Sequence, residues 1–229
     1  MKKIVVLTGA GISAESGIKT FRDADGLWEG HRVEDVATPE AFDRNPRHVL
    51  EFYNQRRAQL KDVIPNAAHL ALVTLELKYN VKIITQNVDD LHERAGSKSV
   101  IHLHGELYKA RSTKYPDLVY EWKEDLNIGD ACANGAQLRP HIVWFGEKVP
   151  LLEKAIEECW NADLCIIIGT SMQVYPAASL VSYLNKSCKI HYVDPKPHIS
   201  YELSINSNVK IHKATATQGV TKLVNELLQ

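Results

Sequence analysis

Six short apolar runs are spaced along the chain. The runs are 4–7, 81–85, 100–103, 164–168, 190–193 and 209–211. Their length and their valine and isoleucine content are typical of buried strands. Segments with helical periodicity separate most of these runs, and they are 46–61, 66–79, 88–94, 150–161, 176–185 and 217–228. Strands that alternate with helices predict an α/β fold built on a Rossmann-like, doubly wound parallel sheet.

Glycine or polar residues follow five of the predicted strands. They are Gly9 to Gly11, 86–92, 104–106, 169–171 and Asp194 with Pro195. Ligands of doubly wound sheets bind beyond the carboxyl ends of the strands. We therefore expect these five strand ends to form one ligand crevice.

The first strand end, Gly9-Ala10-Gly11-Ile12-Ser13-Ala14, matches the G-x-G-x-x-G/A turn that binds a pyrophosphate. Ser13 is expected to open a helix whose N-terminal amides attract an anion. A dehydrogenase half-site would add a second strand that ends in an acidic residue about 20 residues later. The polar stretch 21–28 is not a buried strand. The turn therefore predicts a phosphate site that does not belong to an ordinary dehydrogenase.

Composition narrows the possible classes of protein. The chain has 229 residues, a net charge of −1 and 45% hydrophobic residues, so nothing in it predicts nucleic-acid binding. Its four cysteines form no C-x-x-C pair, which favours a reduced, cytoplasmic location over a disulfide framework. No run approaches the roughly 20 apolar residues of a membrane span, and the first run is too short for a signal peptide.

Several motifs, taken together and in order, resemble the sirtuin family. They are Gly9-Ala10-Gly11-Ile12-Ser13, Ser16-Gly17-Ile18, Phe21-Arg22, Thr85-Gln86-Asn87-Val88-Asp89, His102-Leu103-His104-Gly105, Pro140 to Glu147 and Gly169-Thr170-Ser171. The resemblance covers nearly the whole chain. It implies an NAD-consuming protein-lysine deacylase with a Rossmann-like NAD-binding domain (1–30, 81–107 and 140–229). A helical insertion (31–80) and a second insertion (108–139) would form a smaller lobe.

The resemblance also implies the catalytic residues. Asn87 and Asp89 would hold the nicotinamide carboxamide, and His104 would act as general base on a ribose hydroxyl. Among the ten histidines, His104 combines a strand end, a following glycine and the family motif. His102 would point to the opposite face of its strand and pack in the core.

NAD, as co-substrate, would contact residues from all five strand ends. These are Gly9, Ala10, Gly11, Ser13, Glu15, Phe21, Arg22, Trp28, Gln86, Asn87, Val88, Asp89, Gly169, Thr170, Ser171, Asp194 and Ala216. Phe21 and Arg22 would cover the site and exclude water. Asp194 stands where many family members carry asparagine near the adenine ribose.

The resemblance assigns the acylated-lysine protein substrate to two regions. The peptide would lie as an extra strand between Val143, Phe145, Gly146, Glu147 and Val174, Tyr175. Ala37 with the Tyr53-x-x-Arg56 pair matches sirtuins that remove acidic acyl groups. A small residue at Ala37 leaves room, while Tyr53 and Arg56 can hold a terminal carboxylate. We therefore expect removal of succinyl and malonyl as well as acetyl groups.

Two further expectations concern metal and the alternative functions. Most relatives bind a structural zinc through four cysteines, but 108–139 contains only Cys132, so no zinc is predicted. A mono-ADP-ribosyltransferase or an NAD sensor without turnover would share the NAD site. The presence of His104 and of the acyl pocket argues against both. The sequence predicts no membrane partner and does not indicate the oligomeric state.

Overall fold

The computed structural model describes residues 1–20, 27–28 and 30–229, and Phe21 and Arg22 lie outside the described residues. The strands of the described part are β1 Lys3–Thr8, β2 Leu27–Trp28, β3 His31–Arg32, β4 Asn80–Thr85, β5 Val100–His102, β6 Gly105–Ser112, β7 Val119–Glu121, β8 Leu138–Ile142, β9 Leu164–Ile168, β10 Lys189–Val193 and β11 Val209–His212. The α-helices are α1 Val33–Val36, α2 Pro39–Arg44, α3 Pro46–Asp62, α4 Ala67–Leu75, α5 Leu91–Ala95, α6 Leu152–Trp160, α7 Tyr201–Ser204 and α8 Ala216–Leu228.

The large sheet contains six parallel strands in the order β11-β10-β9-β1-β4-β5. This order confirms the predicted doubly wound α/β fold, and the chain reverses its direction of winding between β1 and β9. Ile4 of β1 lies opposite Val81 on one side and Leu164 on the other. The loops that follow β1 and β9 therefore meet at the switch point of the sheet.

Both faces of the large sheet are covered, which explains why its strands are apolar throughout. Val5 and Leu7 of β1 belong to a core with α6 and the 3-10 helix Ala177–Tyr183. Ile4 and Val6 point to the opposite face, where α4 and α8 supply the packing residues. All four cysteines are buried free thiols.

A small lobe stands apart from the large sheet. It consists of α1 to α3 and an antiparallel sheet in the order β7-β6-β8, and these elements share one apolar core. The second insertion, 108–139, contains β7 and parts of β6 and β8, which no apolar run in the sequence indicated. Lys109 and Arg111 of β6 interrupt the apolar alternation, so the strand has no clear sequence pattern. The predicted boundaries between the NAD-binding domain and the second insertion fall at 107/108 and 139/140, inside β6 and β8. This division into domains stays a proposal.

Three local predictions need correction. Ser13 does not open an α-helix, because 10–16 forms two 3-10 turns that Gly17 ends at φ +99°. The helix predicted at 88–94 begins only at Leu91, whose N–H donates to Asp89 Oδ1 at 3.2 Å. The segment 176–185 forms a 3-10 helix rather than an α-helix. Around Ser13 and Asp89, the polar side chains therefore lie in loops at strand ends, where helices were expected.

Candidate active site

Glycines at the switch point allow two loops to cross in close contact. A Cβ on Gly11 would lie 2.6 Å from the Gly169 Cα, and Gly169 itself adopts φ +58°. The Gly11 N–H donates to the Gly169 carbonyl at 2.8 Å. The glycine pattern is therefore explained first by this crossing, which brings the predicted NAD residues of 9–11 and 169–171 together.

A buried polar cluster lies beside the crossing. Ser13 Oγ donates to Asp89 Oδ2 at 3.0 Å and accepts from Asn87 Nδ2 at 3.2 Å. All three residues are buried, and burial raises the pKa of Asp89 to about 6. The hydrogen bonds from Leu91 N–H and Ser13 oppose that shift. The cluster therefore holds an amide and a carboxylate in fixed positions at the edge of the sheet.

His104 lies in the turn between β5 and β6, close to this cluster. Its Nδ1 is 3.1 Å from the Gln86 carbonyl oxygen, which can only accept, so Nδ1 carries the hydrogen and Nε2 keeps its lone pair. Burial lowers the pKa of His104, so the ring is neutral at pH 7. The His104 carbonyl accepts from the Val143 N–H at 2.9 Å, which places the predicted peptide segment beside the backbone of His104.

His102 lies only two residues away but has the opposite electrostatic character. Its Nδ1 contacts the Asn87 carbonyl at 3.1 Å and its Nε2 contacts Glu93 at 2.8 Å. Burial acts to lower the pKa of His102, but the hydrogen bond and charge of Glu93, together with the Glu106 charge and the Asn87 carbonyl, outweigh burial and the pKa is raised. Both neighbours accept, so the charged form satisfies both nitrogens. His102 is buried as expected, and it also anchors the backbone of Asn87.

The remaining predicted NAD residues come from the neighbouring strand ends. Gln86 Nε2 donates to Thr170 Oγ1 at 3.0 Å, and Ser171 follows directly in the chain. The Glu15 carboxylate accepts from the Thr217 N–H and Oγ1 at 2.8 and 2.6 Å, next to Ala216 at the start of α8. Asp194 is buried after β10 and accepts from the Lys196 N–H at 2.7 Å. The carboxylates of Glu15 and Asp194 are thus already used to order the loops around the site.

The predicted acyl residues lie on α3, one helical turn apart. Tyr53 is fully buried, and its oxygen accepts from Trp144 Nε1 at 2.9 Å. Burial raises the pKa of Tyr53, so its phenol stays protonated across the physiological range. The Arg56 guanidinium lies 4.9 Å from the centre of the Phe52 ring.

A cavity of about 50 Å³ lies between Arg56 and the polar cluster. Arg56, Trp28, Val88 and Asp89 line it, together with Ile18, Lys19, Gln59, Leu60 and Leu107. Trp28 also packs edge-on against Tyr53, with ring centres 6.0 Å apart. The structure thus brings Arg56 and Asp89, which are far apart in sequence, to one cavity.

The predicted peptide-binding segments flank this region. The Phe145 N–H donates to the Ala37 carbonyl at 3.0 Å, and Gly146 adopts φ +89°. Phe145 and Tyr175, which follows Val174, are 47% and 62% exposed and can contact a peptide. The Glu147 side chain instead turns inward, so any contact of Glu147 with a peptide falls to its main chain.

Sequence reasoning missed the side chains that hold Glu147 and Trp144. Glu147 accepts from Arg111 and Arg139, and it also accepts from the backbone N–H of Trp144 at 2.8 Å. The Arg139 guanidinium lies 3.3 Å from the centre of the Trp144 ring. Only the aromatic pair Trp144-Phe145 after Val143 hinted at this cluster, because the arginines belong to strands that the pattern did not reveal.

The described part of the chain offers neither a metal-binding group nor a membrane-spanning helix. Among the described ranges 1–20, 27–28 and 30–229, no group of three or more His, Cys, Asp or Glu side chains is placed to hold a metal ion. Cys132 is buried in the small lobe core. The absence of zinc stays a prediction. Within the same ranges, no helix has the length and apolar content needed to cross a membrane.

The strand order and the site define a Rossmann-like protein with a polar site at its switch point. Residues 9–176 match the model of the Sir2 family, and the chain belongs to that family. A protein from Helicobacter pylori (strain ATCC 700392 / 26695), named NAD-dependent protein deacylase, is 57% identical over 229 residues, which cover 100% of this chain and 99% of the relative.

Two solved structures are similar over nearly the whole chain. A Sir2 homolog in complex with NAD is 40% identical with a TM-score of 0.89, and the match covers 99% of this chain and 90% of the other. A triple mutant of a Sir2 homologue in complex with 2′-O-acetyl ADP ribose is 39% identical with a TM-score of 0.88, and the match covers 99% and 92%. The Rossmann-like fold with a small lobe is therefore confirmed.

Proposed function

We propose that this chain is an NAD-dependent protein-lysine deacylase that removes succinyl, malonyl and acetyl groups from lysine side chains. The products would be nicotinamide, the free lysine and O-acyl-ADP-ribose. The observation that carries the proposal is the position of His104, between the Ser13–Asn87–Asp89 cluster and the peptide segment at Val143. The names of the relatives support the reaction class, and the neighbour in complex with an acetylated ADP-ribose supports the product class.

The polar cluster fits the nicotinamide end of NAD. A carboxamide offers two N–H donors and one carbonyl acceptor. Each Asp89 oxygen accepts one hydrogen bond from the protein and retains a lone pair for a ligand N–H. With a pKa of about 6, Asp89 is largely ionised at pH 7 and can accept. The amide of Asn87 lies next to it, held through Ser13, so the two side chains can orient the carboxamide.

NAD, when bound, supplies an electrophilic ribose carbon that the acyl oxygen of the lysine amide can attack. The protein must then remove a proton from a ribose hydroxyl and exclude water from the ribose carbon, and one water molecule later releases the free lysine and the acyl group on ADP-ribose. His104 performs the first task, because its Nε2 lone pair is free to accept and its ring is neutral at pH 7. The proposed cover, Phe21 and Arg22, would perform the second.

The choice of acyl group is assigned to the small lobe. Arg56 carries a fixed positive charge at the cavity that also contains Asp89. Succinyl and malonyl chains end in a carboxylate, which can accept a charge-assisted hydrogen bond from Arg56 and another from the Tyr53 hydroxyl. An acetyl group lacks that carboxylate. The two residues therefore favour acidic acyl chains without taking part in the chemistry at the ribose.

The proposal extends to partners and organisation. The protein partners would be acylated-lysine substrates that bind mainly through their main chain between 143–147 and 174–175, in the cytoplasm. The NAD-binding domain would comprise 1–30, 81–107 and 140–229, and the two insertions 31–80 and 108–139 would close the cleft over the peptide.

The test is a parallel assay of acetyl-, malonyl- and succinyl-lysine peptides with NAD, in which nicotinamide and deacylated peptide are measured by mass spectrometry. We expect both products in equal amounts, with the highest kcat/KM on the acidic acyl groups. Radiolabelled NAD separates the rival reaction. Stable label on protein without deacylated peptide would identify an ADP-ribosyltransferase, and binding of NAD without nicotinamide release would identify a sensor.

A further inference from the structure

The Trp144 ring is fixed in place by groups on several sides. The guanidinium of Arg139 stacks on it at 3.3 Å, and the Phe42 ring lies 5.4 Å away, centre to centre. Glu147 holds Arg139 by two hydrogen bonds and also accepts from the Trp144 backbone N–H. Trp144 is only 2% exposed. The indole therefore has one orientation, and its N–H points at Tyr53.

The indole N–H dictates how the Tyr53 hydroxyl can bond. An indole N–H can donate but cannot accept, so the phenol oxygen is the acceptor in the 2.9 Å bond with Trp144. The hydroxyl hydrogen of Tyr53 must then point away from Trp144. Since burial keeps the phenol protonated, Tyr53 is a hydrogen-bond donor at every physiological pH.

We propose that Trp144 is a positioning residue for acyl selectivity, because its N–H occupies the acceptor side of Tyr53 and directs the Tyr53 hydrogen to a carboxylate at the end of the acyl chain. This inference rests on the proposed role of Tyr53 and Arg56. It makes Tyr53, like Arg56 one helical turn away, a hydrogen-bond donor toward the acyl chain. A terminal carboxylate can accept from both, whereas an acyl chain that ends in a methyl group gains nothing from either.

The proposed role of Trp144 also gives a reason for the ion pairs beside it. Arg139 lies on the indole, and Glu147 bonds to both Arg139 and Arg111. Trp144 follows β8 by two residues, and both arginines lie on strands of the small lobe sheet. Their shared carboxylate connects these strands to the turn 144–147. The polar side chains of the small lobe thus fix the indole that sets the Tyr53 hydroxyl.

The test is Trp144→Phe, which keeps an aromatic ring beneath Arg139 and removes the N–H. We expect kcat/KM for a succinyl peptide to fall about 3- to 10-fold relative to an acetyl peptide, the range for loss of one neutral hydrogen bond. The loss should appear in the succinyl KM, since the carboxylate contact contributes to binding. Trp122→Phe is the matched control, because Trp122 Nε1 donates to Asp125 instead, at 3.2 Å, and its loss should leave the ratio unchanged.

A double-mutant cycle with Tyr53→Phe separates positioning from general damage. In the Tyr53→Phe background, Trp144→Phe should change the succinyl-to-acetyl ratio by less than about 2-fold, because the hydroxyl that it positions is gone. Equal losses of Trp144→Phe on both substrates, or full additivity in the cycle, would overturn the inference. If Arg56→Met lowers the ratio and Trp144→Phe does not, the inference fails and the proposed function stands. If neither does, the acidic-acyl assignment fails as well.

Discussion

The edge of the large sheet and the face of α3 position their side chains in different ways. At the sheet edge, Ser13, Asn87, Asp89 and His104 lie in short loops at strand ends and are fixed by bonds among those loops. On α3, Tyr53 bonds to Trp144, which lies 91 positions away in the chain. Under the proposed function, the first region would act on groups that every acyl-lysine substrate presents, and the second on a group that only some substrates carry. The reaction and its selectivity are therefore separable by mutation.

Replacement of His104 should have the largest effect. Loss of a general base typically costs 10²- to 10⁴-fold in rate, and His104→Ala should show such a loss on acetyl and succinyl peptides alike. The comparison of nicotinamide release on both peptides provides the measurement. His191→Ala is the control, because His191 lies on β10 and bonds to His212, outside the crevice. Normal turnover by His104→Ala would contradict the proposed mechanism.

Replacement of Arg56 should affect one substrate class only. A hydrogen bond to a charged group contributes about 1.5–3 kcal/mol, so Arg56→Met should lower kcat/KM for succinyl peptides by roughly 10- to 150-fold. Acetyl peptides lack the carboxylate and should lose far less. Arg47→Met, at an exposed position near the start of α3, is the matched control.

Two results would refine or contradict the assignment of Arg56. Arg56→Lys keeps the charge but loses the planar fork, and it should fall between wild type and Arg56→Met if the contact is bidentate. Equal losses of Arg56→Met on both peptides would show that Arg56 supports the fold or the NAD site instead. Thermal melting of each variant distinguishes these two explanations.

The difference between the two regions also determines how much of each the sequence could predict. Loops at strand ends of a doubly wound sheet converge by topology, so the placement of Gly9, Asn87 and His104 followed from the apolar runs alone. The partners of Tyr53 did not, because β6 and β8 contain charged residues and show no strand pattern. A pattern of apolar positions identifies faces of elements, but it cannot identify the ion pair that connects Arg139 to Glu147.

The effect of pH on activity should be smaller than the effect of either substitution, and it should be the same for acetyl and succinyl peptides. The proposed role of His104 requires its base form, and burial places its pKa below the usual value of about 6.5. Activity should therefore be constant above about pH 7 and fall as pH drops through that lowered pKa, with a loss from this group of less than about fourfold at pH 6. Protonation of Asp89, with a pKa of about 6, adds to the same acid limb.

The profile of kcat/KM against pH, measured for acetyl and succinyl peptides, checks this prediction. Both substrates should show the same acid limb, because the two titrating groups, His104 and Asp89, lie at the sheet edge. The terminal carboxylate of succinyl titrates at a lower pH, near that of glutamate. A limb centred above pH 7, or one present for only one substrate, would assign the titrating group elsewhere.

Metal chelation should have no effect on stability or activity. The small lobe is held by the Glu147 carboxylate between Arg111 and Arg139 and by a core that includes Tyr115, Tyr120 and Trp122. Cys132 contributes to that core as a buried apolar group, with its backbone N–H bonded to the Ala136 carbonyl at 2.8 Å. Treatment with a zinc chelator should therefore leave Tm and deacylation unchanged. Stoichiometric zinc in elemental analysis, together with a fall in Tm on chelation, would show that a metal rather than the ion pairs organises the lobe that presents Trp144 to Tyr53.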